Sequence, residues 1–86
     1  MNKDYTDKVR VVQVKVLPVE LYMVMKFGDM VQSGGEAKFV IGEGLVRVNG
    51  EVETRKRKKI SSGDIITFAN EKIQVFANKQ DSEIGL

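Results

Sequence analysis

Apolar and polar residues alternate from position 9 to position 16, with Val12, Val14 and Val16 on one side and Gln13 and Lys15 on the other. A two-residue period of this kind predicts a strand with one buried face. Pro18 ends it and can occupy the first turn of a helix. Beyond it Leu21, Val24, Met25 and Gly28 recur at i, i+3, i+4 and i+7, which predicts a short amphipathic helix over residues 18–27. Met23, Met25 and Met30 lie within or beside that stripe and read as core filler rather than as a methionine-rich binding surface.

Ser33-Gly34-Gly35-Glu36 fits the S-x-x-E capping box, in which the Ser33 hydroxyl accepts from the Glu36 N–H and the Glu36 carboxylate reaches back. A second helix of about three turns is therefore expected from Ser33, with Ala37, Val40 and Ile41 buried, Lys38 pointing elsewhere and Gly44 as its left-handed stop. The connection between the helices is short, so they should pack as a compact pair. Leu45-Val46-Arg47-Val48 reads as a strand, and Asn49-Gly50 is a strong hairpin signal because both residues tolerate positive φ. Val52 starts the return segment. Ser62-Gly63-Asp64 marks another turn, followed by strands at residues 65–68 and 73–76 joined through Asn70-Glu71. The expected fold is α+β: two packed short helices on a small, mostly antiparallel sheet, with the terminal strands 9–16 and 73–76 paired. One domain spans residues 9–77, flanked by flexible segments 1–8 and 78–86.

Composition narrows the chemistry. A chain of 86 residues folds around a single core that hides roughly 60–65% of its unfolded surface. Histidine and cysteine are absent, which removes Ser-His-Asp and Cys-His catalysis, Cys/His zinc sites, disulfides and thiol redox chemistry. No apolar run approaches the roughly 18 residues of a membrane span, and the polar residues at positions 2–8 do not form a signal peptide. A cytoplasmic, monomeric protein without membrane contact is expected. Fourteen Lys and Arg against twelve Asp and Glu give a net charge of only +2. The distribution is more telling, because Arg55, Lys56, Arg57, Lys58 and Lys59 are consecutive. On its own such a run is as well explained by a solvated surface as by a polyanion partner.

Ser33-Gly34-Gly35-Glu36-Ala37-Lys38 is neither G-x-x-x-x-G-K-S/T nor G-x-G-x-x-G, so nucleotide hydrolysis is excluded. A helix N-terminus with two glycines could still accept a phosphate on its backbone N–H groups. On the motif alone, the plainer reading that the glycines shape the start of the helix outweighs this. Glu36, Glu43, Glu51 and Glu53 show no arrangement of a general acid and base. Phe27, Phe39, Phe68 and Phe76 are core candidates, while Tyr5, Tyr22 and Phe39 are the aromatics best placed to stack on an unpaired base. If the strand period continues through the basic run, Arg55, Arg57 and Lys59 share a face, about 7 Å apart, with Lys56 and Lys58 opposite. Arg47 and Lys38 would extend that row.

The order of a helix, a capped helix, Gly44-Leu45-Val46-Arg47-Val48-Asn49-Gly50 and then Gly63-Asp64 resembles the αL RNA-binding motif. This is the RNA-binding domain first described in the fourth protein of the small ribosomal subunit. The capped helix together with Glu51-Val52-Glu53-Thr54-Arg55-Lys56-Arg57 is similar to a subgroup of very small stand-alone bacterial proteins of that type. The resemblance implies binding of structured ribosomal or transfer RNA through the helix pair and hairpin, with no catalysis and no cofactor. Its recognition surface would comprise Ser33, Gly34, Gly35, Lys38, Arg47, Arg55, Lys56, Arg57, Lys58 and Lys59. Larger members open their helices with Arg-Leu-Asp and Ser-Arg, where this chain has Glu20-Leu21-Tyr22 and Ser33-Gly34, so two phosphate-binding arginines are absent and the basic run would compensate. Two functions follow: an RNA-binding protein acting in ribosome assembly, or an interaction module that docks an acidic partner protein on its basic strand.

Overall fold

The alternating valines form β1 (Arg10–Val14), shorter than its pattern because Val16 lies outside the strand and is exposed. The computed structural model describes residues 8–78; the flexible segments expected at the two ends, and Tyr5, lie outside these apart from Lys8 and Asn78. The helix expected from Pro18 starts later. Val19 and Glu20 instead form a short strand, β2 (Val19–Glu20), and the helix α1 runs from Leu21 to Phe27. Its stripe behaves as the period requires, with Leu21, Val24 and Met25 fully buried.

The capped helix α2 (Gly34–Gly42) begins where the S-x-x-E pattern puts it: the Glu36 N–H donates to Ser33 Oγ at 3.1 Å. The Glu36 carboxylate reaches back to the N–H of Gln32 at 3.0 Å. At the other end Gly44 takes φ +79°, its N–H donates to the Ile41 carbonyl, and that of Leu45 donates to the Val40 carbonyl. This pair of bonds is the Schellman stop.

Four further strands and a short pairing complete the chain: β3 (Val46–Val48), β4 (Glu51–Val52), β5 (Lys59–Ile60), β6 (Ile65–Phe68) and β7 (Glu71–Ala77). Asn49 and Gly50 both take positive φ, +53° and +88°, as a two-residue hairpin demands. The main sheet has the order β1-β7-β6-β3-β4, antiparallel throughout except for β1 and β7, which run parallel with Arg10 beside Ile73 and Val14 beside Ala77. Both helices cover one face, where Val46, Val48, Ile66, Ile73 and Val75 meet Leu21, Val24, Met25, Ala37 and Ile41 in one core. The molecule is thus an α+β fold of two helices on a mostly antiparallel mixed sheet. Phe68 and Tyr22 pack against its core, whereas Phe27 and Phe39, expected inside, are exposed.

The basic run departs most from expectation. Residues 53–58 form no strand; the Lys58 N–H closes a turn on the Arg55 carbonyl at 3.1 Å, and only Lys59 and Ile60 pair, with Glu20 and Val19. The reason lies in where the backbone of the run finds partners. The carbonyls of Lys58 and Lys56 accept from the N–H groups of Leu21 and Tyr22, at 2.8 and 3.1 Å. Glu20 stands at the N-cap of α1 but its side chain caps nothing, so the basic segment supplies the cap.

Candidate nucleic-acid interface

Ser33, Gly34 and Gly35 open α2, and the Ser33 hydroxyl already serves the Glu36 N–H. The first intrahelical bond is that of the Ala37 N–H to the Ser33 carbonyl, which leaves the Gly34 and Gly35 N–H groups unengaged among the described residues. Neither glycine has a positive φ. A Cβ would come no closer than 3.7 Å to the Tyr22 ring at Gly34 and 3.9 Å to Ser33 Oγ at Gly35. The fold would accept alanine at both, although glycine inside a helix costs about 0.5–1 kcal/mol. What the pair supplies is bare backbone at the positive end of a helix.

Tyr22 joins this end of α2 to the basic turn. Gly34 lies against its ring, Lys38 Nζ sits 4.8 Å from the ring centroid, and its own N–H is bonded to Lys56. Lys26, one turn on, flanks the same glycine, its Cδ 3.8 Å from where a Cβ at Gly34 would be. Reading the sequence for cations missed Lys26; its spacing of four from Tyr22 on the outer side of α1 was the available signal.

The five cations of the turn are not equivalent. Arg57 Nε and Lys59 Nζ face the Glu20 carboxylate at 4.0 and 3.9 Å, loose pairs between largely exposed side chains that add little stability. Lys56 has no ion-pair partner among the described residues. Arg55 is held in a fork: its Nε and Nη2 donate to the two oxygens of Glu53 at 2.8 and 3.0 Å, and its backbone N–H donates to Oε2 at 2.9 Å. These donors, the Arg55 side chain foremost, hold the Glu53 carboxyl down at about 2, and the Glu53 carboxylate, by its hydrogen bonds and charge, raises the Arg55 guanidinium in turn.

Arg47 stands apart from the rest. Val46 and Val48 point into the helix-covered core, so the strand period sends Arg47 to the open face of the sheet, where Nη1 donates to the Gly50 carbonyl at 3.1 Å. The structure therefore gathers the start of α2, Lys38 and the Lys56 backbone around Tyr22, sets Arg55, Lys58 and Lys59 along a cleft with Asn49, Ser61 and Asp64, and leaves Arg47 across the sheet. Among the described residues no His, Cys, Asp and Glu group is placed to hold a metal ion, and no helix is long and apolar enough to cross a membrane.

Comparison with known proteins agrees with this fold. A model of the S4 domain matches residues 12–76. YbcJ of Escherichia coli strain K12, named as a candidate RNA-binding protein, is 48% identical over 59 residues, which is 69% of this chain and 84% of that protein. RlbA of Bacillus subtilis strain 168, named as a candidate ribosome maturation protein, is 38% identical over 48 residues, 56% of this chain and 68% of the relative. The solution structure of Escherichia coli YbcJ is described as revealing an αL motif involved in RNA binding. It superposes with a TM-score of 0.63 at 40% identity, covering 83% of this chain and 91% of that one.

Proposed function

Since the chain belongs to the S4 domain family, we propose that it is a non-enzymatic RNA-binding protein that recognises structured ribosomal RNA and acts in the cytoplasm during ribosome maturation. The observation that carries this reading is the convergence on Tyr22 of two features far apart in sequence: the uncovered glycine backbone opening α2, and the basic turn that caps α1. Phosphates reaching this surface meet the Gly34 and Gly35 N–H groups on one side and the turn at Lys56 on the other, with Lys38 and Lys26 beside the Tyr22 ring. Names carried by relatives at 48% and 38% identity support the same direction. A structured RNA fits better than a featureless duplex because the surface is short, and sequence-independent phosphate contacts alone would make no distinction between nucleic acids.

The carboxylates support a role without catalysis. Glu36 is committed to the Gln32 N–H, Glu53 to Arg55, and Asp64 to Asn49 and the Ser61 N–H. Glu53 and Asp64 border a cleft, yet each carboxylate is already bonded to N–H donors, the Arg55 fork for Glu53 and Asn49 with the Ser61 N–H for Asp64, so neither is free there as a general base. The test is a binding titration at one fixed salt against structured ribosomal RNA fragments, unstructured RNA and duplex DNA. Preference for the structured RNA is expected. Equal binding to all three would overturn the specificity, and retention of an acidic protein instead of RNA would transfer the basic turn to a protein partner.

A further inference from the structure

The acid on the basic face has a use of its own. Glu53 is anchored by its backbone, whose N–H donates to the Val46 carbonyl at 2.9 Å and extends the hairpin ladder by one bond. Its side chain is only 12% exposed, yet Arg55, which it grips, is 69% exposed. The grip uses the Nε and Nη2 edge of the guanidinium. An arginine fork carries five N–H groups, so the edge formed by Nη1 and Nη2 stays open, and that edge matches two phosphate oxygens. A phosphate taking it leaves the Glu53 contact intact. Displacing Glu53 would instead break both fork bonds to its carboxylate and leave it only the Arg55 backbone N–H and the charge of Lys58 nearby.

We propose that Glu53 is a positioning residue for RNA: it fixes the Arg55 guanidinium with its open edge outward, so that removing this acid weakens the binding of a polyanion. The inference rests on the RNA-binding reading and deepens it. It opposes simple charge counting, in which losing a carboxylate from a cationic surface strengthens attraction to phosphate. The energetic basis is that an exposed arginine must be immobilised to make a bidentate contact, and here that ordering precedes binding.

The experiment compares the full chain with Glu53→Ala, Arg55→Ala and the double variant, titrated with one structured ribosomal RNA fragment across a salt series, with melting curves alongside. Arg55→Ala should bind several-fold more weakly, and the slope of log affinity against log salt should shrink by about 0.7–0.9, the contribution of one phosphate contact. Glu53→Ala should weaken binding at least threefold and shrink the slope in the same direction, and the double variant should be no weaker than Arg55→Ala alone. Where Glu53→Ala does not fold, Glu53→Gln, which keeps the length and one acceptor, must show the same direction. Unchanged or tighter binding by the Glu53 variant would overturn the proposal, as would an equal additional loss in the Arg55→Ala background. No binding by the unsubstituted chain would overturn the RNA reading itself, and this inference with it.

Discussion

The backbone N–H of Tyr22 ends on the carbonyl of Lys56, 3.1 Å away, so the first turn of α1 is capped by the segment that carries the densest positive charge of the chain. A side-chain cap would have left the basic run free to move. A backbone cap ties it to the helix pair, and the position of these cations is then as well defined as that of α1. Anything that loosens the turn should loosen the start of α1 with it.

Ser33→Ala removes the acceptor of the Glu36 N–H. The expected cost is about 1 kcal/mol of stability, the usual loss at an N-cap, read as a lowered urea midpoint with an unchanged slope. An unaltered midpoint would mean that the Glu36 contact to Gln32 carries the start of α2 alone.

Gly35→Ala separates fold from recognition. Its Cβ would find space, with Ser33 Oγ the nearest atom at 3.9 Å, so stability should hold or rise by up to about 1 kcal/mol. RNA affinity should fall several-fold because the methyl group covers the exposed amides. Unchanged affinity in a filter-binding titration would leave the glycine with no part in recognition.

Salt dependence gauges the interface. Three to five phosphate contacts, at a slope of −0.7 to −0.9 each, should lower affinity roughly 20- to 500-fold between 50 and 200 mM salt. A flat titration would exclude an interface built on this basic turn.

Glu53 sets an acid limb to stability. Its carboxyl lies at about 2 in the folded chain against an ordinary 4.5, so the unfolded chain takes up the proton first as pH falls. The stabilisation is complete above the ordinary value and is lost progressively between there and about pH 2. Glu53→Gln should therefore show a smaller fall in urea midpoint than the unsubstituted protein over that window, the two curves converging towards its acid end. Parallel curves would place the ion pair outside the stability balance.

Glu20→Gln is the counterpart of the Glu53 substitution. Glu20 faces Arg57 and Lys59 only loosely, at 4.0 and 3.9 Å, and orders neither. Removing it should tighten RNA binding a few-fold through charge alone, measured in the same titration. Weaker binding would assign Glu20 an ordering role as well.

Much of this fold is legible in the residues. Ser33 with Glu36, Asn49 with Gly50 and the stripe Leu21, Val24, Met25 each state a local rule that the tertiary structure has no cause to override. The basic run was misread as a strand because five like charges carry no hydrophobic period; its path is set by Leu21 and Tyr22, whose N–H groups sit more than thirty positions earlier. The same pairing displaced the helix start from Pro18 to Leu21. Phe39, a candidate both for the core and for stacking, is exposed because on a short helix whose inward side is filled by Ala37, Val40 and Ile41 its position faces outward. Arg47 was assigned to the right strand, but charge alone cannot reveal that alternation turns it away from the helices. Glu53 shows in sequence only that it is no general acid or base; that it holds Arg55 in a fork follows from the turn that folds Arg55 back over it.

The parallel pairing of β1 with β7 has a consequence for synthesis. Of the described elements β1 leaves the ribosome first, and its only partner, β7, leaves last. Every hairpin between them can close locally as it emerges, but the valines of β1 must wait until residue 77 is available. The final assembly step is therefore the longest-range one, so the completed sheet should form slowly compared with the helix pair. Until then β1 is the strand left without its partner, its valines open to other nascent chains.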